Sequence, residues 1–258
     1  MLVYQHCIFL LVAYHFHRVI LMKFKLIVAL LLFCSFGANI FLGSKVLHYY
    51  TLFNELRLDP LELHFYSKKE FISTKVRVVM LGDSRVLAWP VIESESFDVY
   101  NRGIHGQTSI QIRDRFAVHI PDLQPDIVVL QLGINDLKTI GIFPQRKEKI
   151  LEDCKLNIQL LIEKIRRLDA QVILTTTIPA GPIPLVRRPV WSDDIDIEVQ
   201  KLNLYIKSIQ QEGVHVLDIA SLINDTQYLD ALHIEKEAYK TLNYHLEKVI
   251  LHVIESNN

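Results

Sequence analysis

Residues 76–84 read Val76-Arg77-Val78-Val79-Met80-Leu81-Gly82-Asp83-Ser84. Six residues rich in β-branched and apolar side chains, closed by a glycine and a polar turn, form the pattern of a buried strand that ends in a loop. Outward from this stretch the pattern recurs. Residues 97–100 form a short second strand ending at Asn101, residues 126–132 a strongly apolar third, and residues 171–177 and 214–219 supply two more. Helical periodicity fills the gaps. Ile112, Phe116 and Ile120 mark one short helix, and residues 149–168 carry apolar side chains at 150, 151, 154, 158, 161, 162, 165 and 168 with charges between them. Residues 195–211 and 235–254 read as two further helices. Apolar strands alternating with amphipathic helices need both sheet faces covered. The expected fold class is therefore α/β: a three-layer α/β/α sandwich with a central parallel sheet and right-handed crossovers, over residues 76–258.

Composition agrees with one such domain and limits its partners. The chain has 258 residues, with 28 Lys+Arg against 29 Asp+Glu and a net charge of −1. A dedicated nucleic-acid binder would carry a basic excess, so no nucleic-acid partner is expected. Half the residues are hydrophobic and 22% are charged, which excludes a disordered or fibrous chain. The mean hydropathy of +0.21 is high, and the excess sits in the first fifty residues.

Two apolar stretches open the chain. The first, 7–22, is interrupted by His15, His17 and Arg18. The second, 26–43, contains no charge, follows Lys23 and Lys25, and as a helix would span about 27 Å, enough for a hydrocarbon core. Residues 22–43 are read as a signal anchor or transmembrane segment and residues 1–21 as an N-terminal extension. Residues 44–75 are read as a linker and lead-in of short helical pieces. Lysines before the apolar run favour a cytoplasmic amino terminus and a periplasmic or extracellular domain. A cleaved, secreted form is the alternative, although the sites around Ser35 to Ala38 are poor small-x-small matches and Ile40, Phe41 and Leu42 prolong the run. A hairpin of both stretches, returning the domain to the cytoplasm, is a third topology. Cys7 and Cys34 lie in the apolar segments and Cys154 alone in the domain, which leaves no intradomain disulfide and no thiolate zinc site.

In a parallel sheet the working residues sit in loops beyond the carboxyl ends of the strands. Four segments meet that expectation: Gly82-Asp83-Ser84, Asn101-Arg102-Gly103-Ile104-His105-Gly106, Gly133-Ile134-Asn135-Asp136, and Asp230-Ala231-Leu232-His233 before the last helix. Each alone is weak; Ser84 by itself is equally a helix-cap serine. In this order and spacing, over residues 76 to about 252, the four blocks resemble the SGNH, or GDSL-like, hydrolase superfamily. The resemblance implies a flavodoxin-like sheet, esterase or lipase-like activity, and no cofactor or metal. By the same resemblance Ser84 is the nucleophile, His233 the general base and Asp230 the carboxylate that orients it. The Ser84 and Gly106 backbone N–H groups and the Asn135 side-chain amide then form the oxyanion hole.

The chemistry of these residue types is consistent with that assignment. A serine hydroxyl needs an imidazole within hydrogen-bond reach to take its proton, and a carboxylate on the other ring nitrogen to fix the tautomer. Asp230 and His233 are three residues apart, so a single turn brings them together. Asp83 and Asp136 read as turn and cap acceptors. His105 reads as a cleft-lining residue, and Arg85 and Trp89 are expected to shape the acyl side. The loop 178–194, with Pro179, Pro182, Pro184 and Pro189, brings Arg187 and Trp191 toward the cleft as substrate-lining residues, with Arg188 beside them. No H-x-x-x-H or H-E-x-x-H spacing occurs, and no glycine-rich phosphate loop follows a strand. The expected substrate is a short-acyl or acetyl ester on an envelope glycan or a small molecule. The alternative is a longer acyl chain, cleaved by a lipase, lysophospholipase or thioesterase. A second alternative is a non-catalytic carbohydrate-binding domain.

Overall fold

The computed structural model describes residues 2–66 and 74–256, with side chains from residue 14 onward. Residues 67–73 of the expected lead-in, and the side chain of Cys7, lie outside the described residues. The chain divides into two units, Met1–Pro60 and Leu61–Asn258.

The first unit is one helix, α1 (Leu2–Leu58). Its Tyr14–Leu58 portion is long and apolar enough to cross a membrane by length and composition. The short helical pieces expected from residue 44 are, as far as Leu58, the end of this one helix. Gly43 costs a helix only about 1 kcal/mol, whereas Pro60 cannot donate the next backbone bond and disfavours helix at Asp59. The last backbone bond accordingly runs from Asp59 N to Glu55 O, at 2.9 Å.

The second unit is a five-stranded, all-parallel sheet. Its strands are β1 (Val76–Gly82), β2 (Phe97–Gly103), β3 (Ile127–Gln131), β4 (Gln171–Thr175) and β5 (Val214–Leu217), in the spatial order β2-β1-β3-β4-β5. This is the flavodoxin-like order, and the α/β class with a central parallel sheet is the observed fold. Strand alternation sorts the core into two layers. Val79, Leu81, Val128, Leu130, Val172 and Leu174 pack beneath α3 (Ser109–His119), α5 (Lys147–Arg166) and α6 (Asp194–Ser208). Val78, Met80, Ile127, Val129 and Ile173 pack on the other face with α7 (Lys236–Ser256). Period 2 in the strands and period 3.6 in the helices thus meet in a covered sheet. Cys154 is fully buried in the first layer, as a small apolar residue would be.

Register sets the site. Gly82 at the end of β1 pairs with Gly103 of β2 on one side and Gln131 of β3 on the other. Three strands therefore release their loops at one level of the sheet. Two further short helices, α2 (Ser84–Leu87) and α4 (Ile134–Leu137), begin within those loops.

Candidate active site

Gly82 has no room for a side chain: a Cβ there would lie 2.2 Å from the Gln131 carbonyl oxygen and 2.4 Å from Val86 Cγ2. The close approach brings Asp83-Ser84 beside the loop after β3. Asp83 caps α2, its Oδ1 accepting the Arg85 N–H at 2.9 Å. It is fully buried, and that burial pushes its carboxyl pKa up against the opposing pull of Arg85 and Lys138. Ser84 opens the helix, so its own N–H has no intrahelical partner.

The Asp230–His233 turn meets this serine from the far end of the sequence. His233 Nε2 lies 3.0 Å from Ser84 Oγ, and His233 Nδ1 lies 2.9 Å from Asp230 Oδ2. The other carboxylate oxygen of Asp230 accepts the backbone N–H groups of Leu232 at 2.7 Å and His233 at 2.9 Å. One side chain therefore builds the turn and faces the ring. Partial burial raises the Asp230 pKa, but the bonds from the His233 ring and the two N–H groups outweigh it and hold the carboxyl at about 2. An ionised carboxylate only accepts, so Nδ1 carries the hydrogen and Nε2 is free to accept from Ser84.

Two further groups border the serine. Gly106 has φ +68°, while a Cβ there would meet nothing within 4 Å, so the backbone conformation and not crowding calls for glycine. Among the described residues its N–H has no backbone partner. Asn135 is buried, and its amide orientation follows from its neighbours. Lys138 Nζ, which can only donate, sits 2.6 Å from Oδ1. The Gln107 carbonyl at 3.0 Å and the Asp83 carboxylate at 3.3 Å, which can only accept, both face Nδ2. The nitrogen end therefore faces Asp83 and Gln107, the chain neighbours of Ser84 and Gly106, and the longer of its two contacts is the one with Asp83. Asp136 next door accepts Ser109 N–H at 2.8 Å and Ser109 Oγ–H at 2.6 Å; burial lifts its pKa to about 6 despite these bonds.

Ser84, Gly106, Asn135 and His233 share a cavity of about 540 Å³. His105, Lys138 and Arg187 line it with basic groups, and Ile142, Val190, Trp191 and Leu232 with apolar ones. His105, Arg187 and Trp191, singled out from the sequence, thus border the cavity. Arg85 and Trp89 do not, and that expectation is corrected. The Arg85 guanidinium is buried and donates to the carbonyls of Leu232 at 2.6 Å, Pro179 at 3.0 Å and Ile178. Trp89 is buried on the opposite sheet face against Tyr239, its Nε1–H donating to Asn243 Oδ1 at 2.6 Å.

Lys138 was missed by the sequence reading. The available signal was its spacing, one turn after Asn135. Arg115 was missed as well: it is buried, donates to Gln107 Oε1 at 2.5 Å and to the Arg102 carbonyl at 2.7 Å, and so braces the Gly106–Gln107 loop. Among the described residues no three His, Cys, Asp or Glu side chains cluster as metal ligands would.

The profile of the GDSL-like Lipase/Acylhydrolase family matches residues 81–241, a span that contains every group around Ser84. The chain belongs to this family. As a GDSL-like hydrolase it acts on carboxylic ester bonds. Solved structures share the fold. A Bacteroides fragilis structure assigned as an acylhydrolase is 23% identical with a TM-score of 0.62, over 75% of this chain and 97% of its own. A GDSL-like lipase from Bacteroides thetaiotaomicron is 21% identical with a TM-score of 0.56, over 76% of this chain and 97% of its own. A carbohydrate acetylesterase from Sinorhizobium meliloti is 15% identical with a TM-score of 0.56, over 69% of this chain and 100% of its own. No curated protein matches the chain.

Proposed function

We propose that this GDSL-like hydrolase cleaves short-acyl esters through an acyl-enzyme on Ser84. The observation that carries the reading is the 3.0 Å contact of Ser84 Oγ with His233 Nε2, backed by Asp230 at 2.9 Å. His233 takes the hydroxyl proton as Oγ attacks the ester carbonyl, and Asp230 stabilises the resulting imidazolium. The oxyanion is received by the Ser84 and Gly106 N–H groups and by Asn135 Nδ2, whose long contact with Asp83 is the one to give way. His233 then returns its proton to the departing alcohol. In the second half-reaction it deprotonates water, which attacks the acyl carbon and releases Ser84.

The cavity of about 540 Å³ accommodates a short acyl group together with a glycan unit or small alcohol. A longer acyl chain is the second reading, favoured by the exposed Leu185 and Val186 at the cavity's edge loop. The apolar α1 supports membrane tethering with the hydrolase unit on the periplasmic or extracellular side.

The test is a 4-nitrophenyl ester series from acetate to palmitate on the full chain in detergent, beside Ser84→Ala. Turnover should peak at short acyl length and fall at least about 10³-fold in the variant. Unchanged turnover in Ser84→Ala, or a fluorophosphonate adduct on another residue, removes the assignment. A phosphatase fused after Pro60 should be active in an exported topology; a well-expressed but inactive fusion counts against it.

A further inference from the structure

The charge around the cavity is one-sided. Every ionisable side chain that lines it is basic: His105, Lys138, Arg187 and His233; no Asp or Glu is among them. Elsewhere in the domain lysines sit beside acids, as in Lys147–Asp194 at 3.3 Å and Lys207–Asp218 at 2.6 Å. Among the described residues neither Lys138 nor Arg187 has a carboxylate within 4 Å. Lys138 is half-buried, and its one hydrogen bond is to a neutral amide oxygen. Asp83 and Asp136 act on it only from beyond ion-pair distance, so the cost of taking this cation from water is only partly offset. Burial, and then the neighbouring positive charges of Arg187 and Arg85, pull the Lys138 pKa down, opposing Asp83.

We propose that the ester taken by this cavity carries an oxyanion, a carboxylate or a phosphate, which binds Lys138 and Arg187. The inference rests on the hydrolase reading for its orientation and adds the substrate's charge. Lys138 Nζ is 2.6 Å from Asn135 Oδ1, hence no more than about 5 Å from the nitrogen of the same amide. The anionic group therefore lies a few bonds from the ester carbonyl. Arg187 supplies the planar donor fork that suits carboxylate or phosphate, and Lys138 supplies a point charge. Ile142, Val190 and Trp191 remain for the carbon skeleton.

Matched ester pairs test this on the full chain in detergent. One pair is 4-acetoxybenzoate and its methyl ester, with the charge on the alcohol side. The other is mono-4-nitrophenyl adipate and its methyl ester, with the charge on the acyl side. In at least one pair the anion should have the higher kcat/KM, by about tenfold. Arg187→Gln and Lys138→Gln should each cut that ratio several-fold, and high salt should shrink it. Ratios near one in both pairs, or a ratio untouched by Arg187→Gln, overturn the proposal. Binding of adipate and of inorganic phosphate to Ser84→Ala, followed by calorimetry, needs no turnover and so decides the matter even if the acyl-serine reading fails. Measurable binding lost in Ser84→Ala/Arg187→Gln supports the site and shows which oxyanion it prefers; no binding of either anion counts against it.

Discussion

Arg85, the chain neighbour of Ser84, and Lys138, which lines the same cavity as that serine, use their charges differently. Arg85 follows Ser84 directly, is 1% exposed, and gives its guanidinium to three carbonyls, one of them that of Leu232 beside His233. Lys138 borders the cavity and has one neutral acceptor. A buried cation whose three guanidinium nitrogens each bond a carbonyl of its own chain is architecture: it ties the Ser84 helix to the loop that brings His233. A cation left with donors to spare, facing a cavity, is available to something that arrives. The same charge therefore signals framework or recognition according to how completely the fold satisfies it.

The predictions probe this division, beginning with the chemistry that both cations flank. Asp230→Asn keeps a side chain of the same shape but no longer dictates the His233 tautomer. A kcat loss of about 10⁴ is expected in steady-state assays, and a loss under tenfold would mean that the turn matters more than the charge. Arg85→Met orphans the carbonyls of Leu232 and Ile178, while that of Pro179 keeps its bond from the Tyr228 hydroxyl at 3.1 Å, and frees the His233 loop. Unfolding of the full chain in detergent should reveal a destabilisation of about 3–5 kcal/mol together with reduced kcat. If Arg85→Met instead changed ester preference at unaltered stability, framework and recognition would be exchanged. Arg187→Gln should leave stability within about 0.5 kcal/mol, since no ion pair of the fold is lost.

The smallest effects concern two carboxyls near Ser84 that respond to pH in opposite senses. Asp230, held near 2 in the fold against an ordinary 3.8, contributes stability above about pH 4 that is lost as the pH falls toward 2. Asp136, lifted to about 6, contributes fully below its ordinary 3.8 and loses that contribution as the pH rises through 6. Comparing stability–pH curves of the native chain with Asp136→Asn should flatten the segment between about pH 4 and 6 only. A flattening below pH 4 in that variant would contradict the assignment.

Much of this was legible in the sequence because it rests on periodicity. The Val76–Gly82 run, the 149–168 heptad-like pattern and the position of each polar block at a strand end follow from which faces must be buried. The meeting of Ser84 with His233 was readable through the blocks together. What was not legible depends on tertiary satisfaction. Arg85 in sequence is an ordinary basic residue after a helix start; only folding supplies the three carbonyls that bury it. Trp89, likewise, was drawn to the far sheet face by Tyr239 and Asn243. Lys138 belongs to no motif, and only folding brings it to the cavity that Arg187, Val190 and Trp191 also line. The loss of the uncharged apolar pattern after residue 43 hides the true length of α1, which runs on to Leu58 and stops just before Pro60.

The paired ends of β1, β2 and β3 carry a consequence for how this hydrolase can diverge. Gly82, Gly103 and Gln131 are neighbours across one hydrogen-bonded ladder. A single residue inserted in β3 would slide the Asn135 loop by about 3.3 Å and turn the strand's core side chains outward, and no compensating change in one loop would undo that. The 178–194 segment hangs from β4 and shares no such ladder. Lengthening or rewriting it changes what enters the cavity while the acyl-transfer groups keep their spacing, so new substrates are within reach of small genetic steps and new chemistry is not.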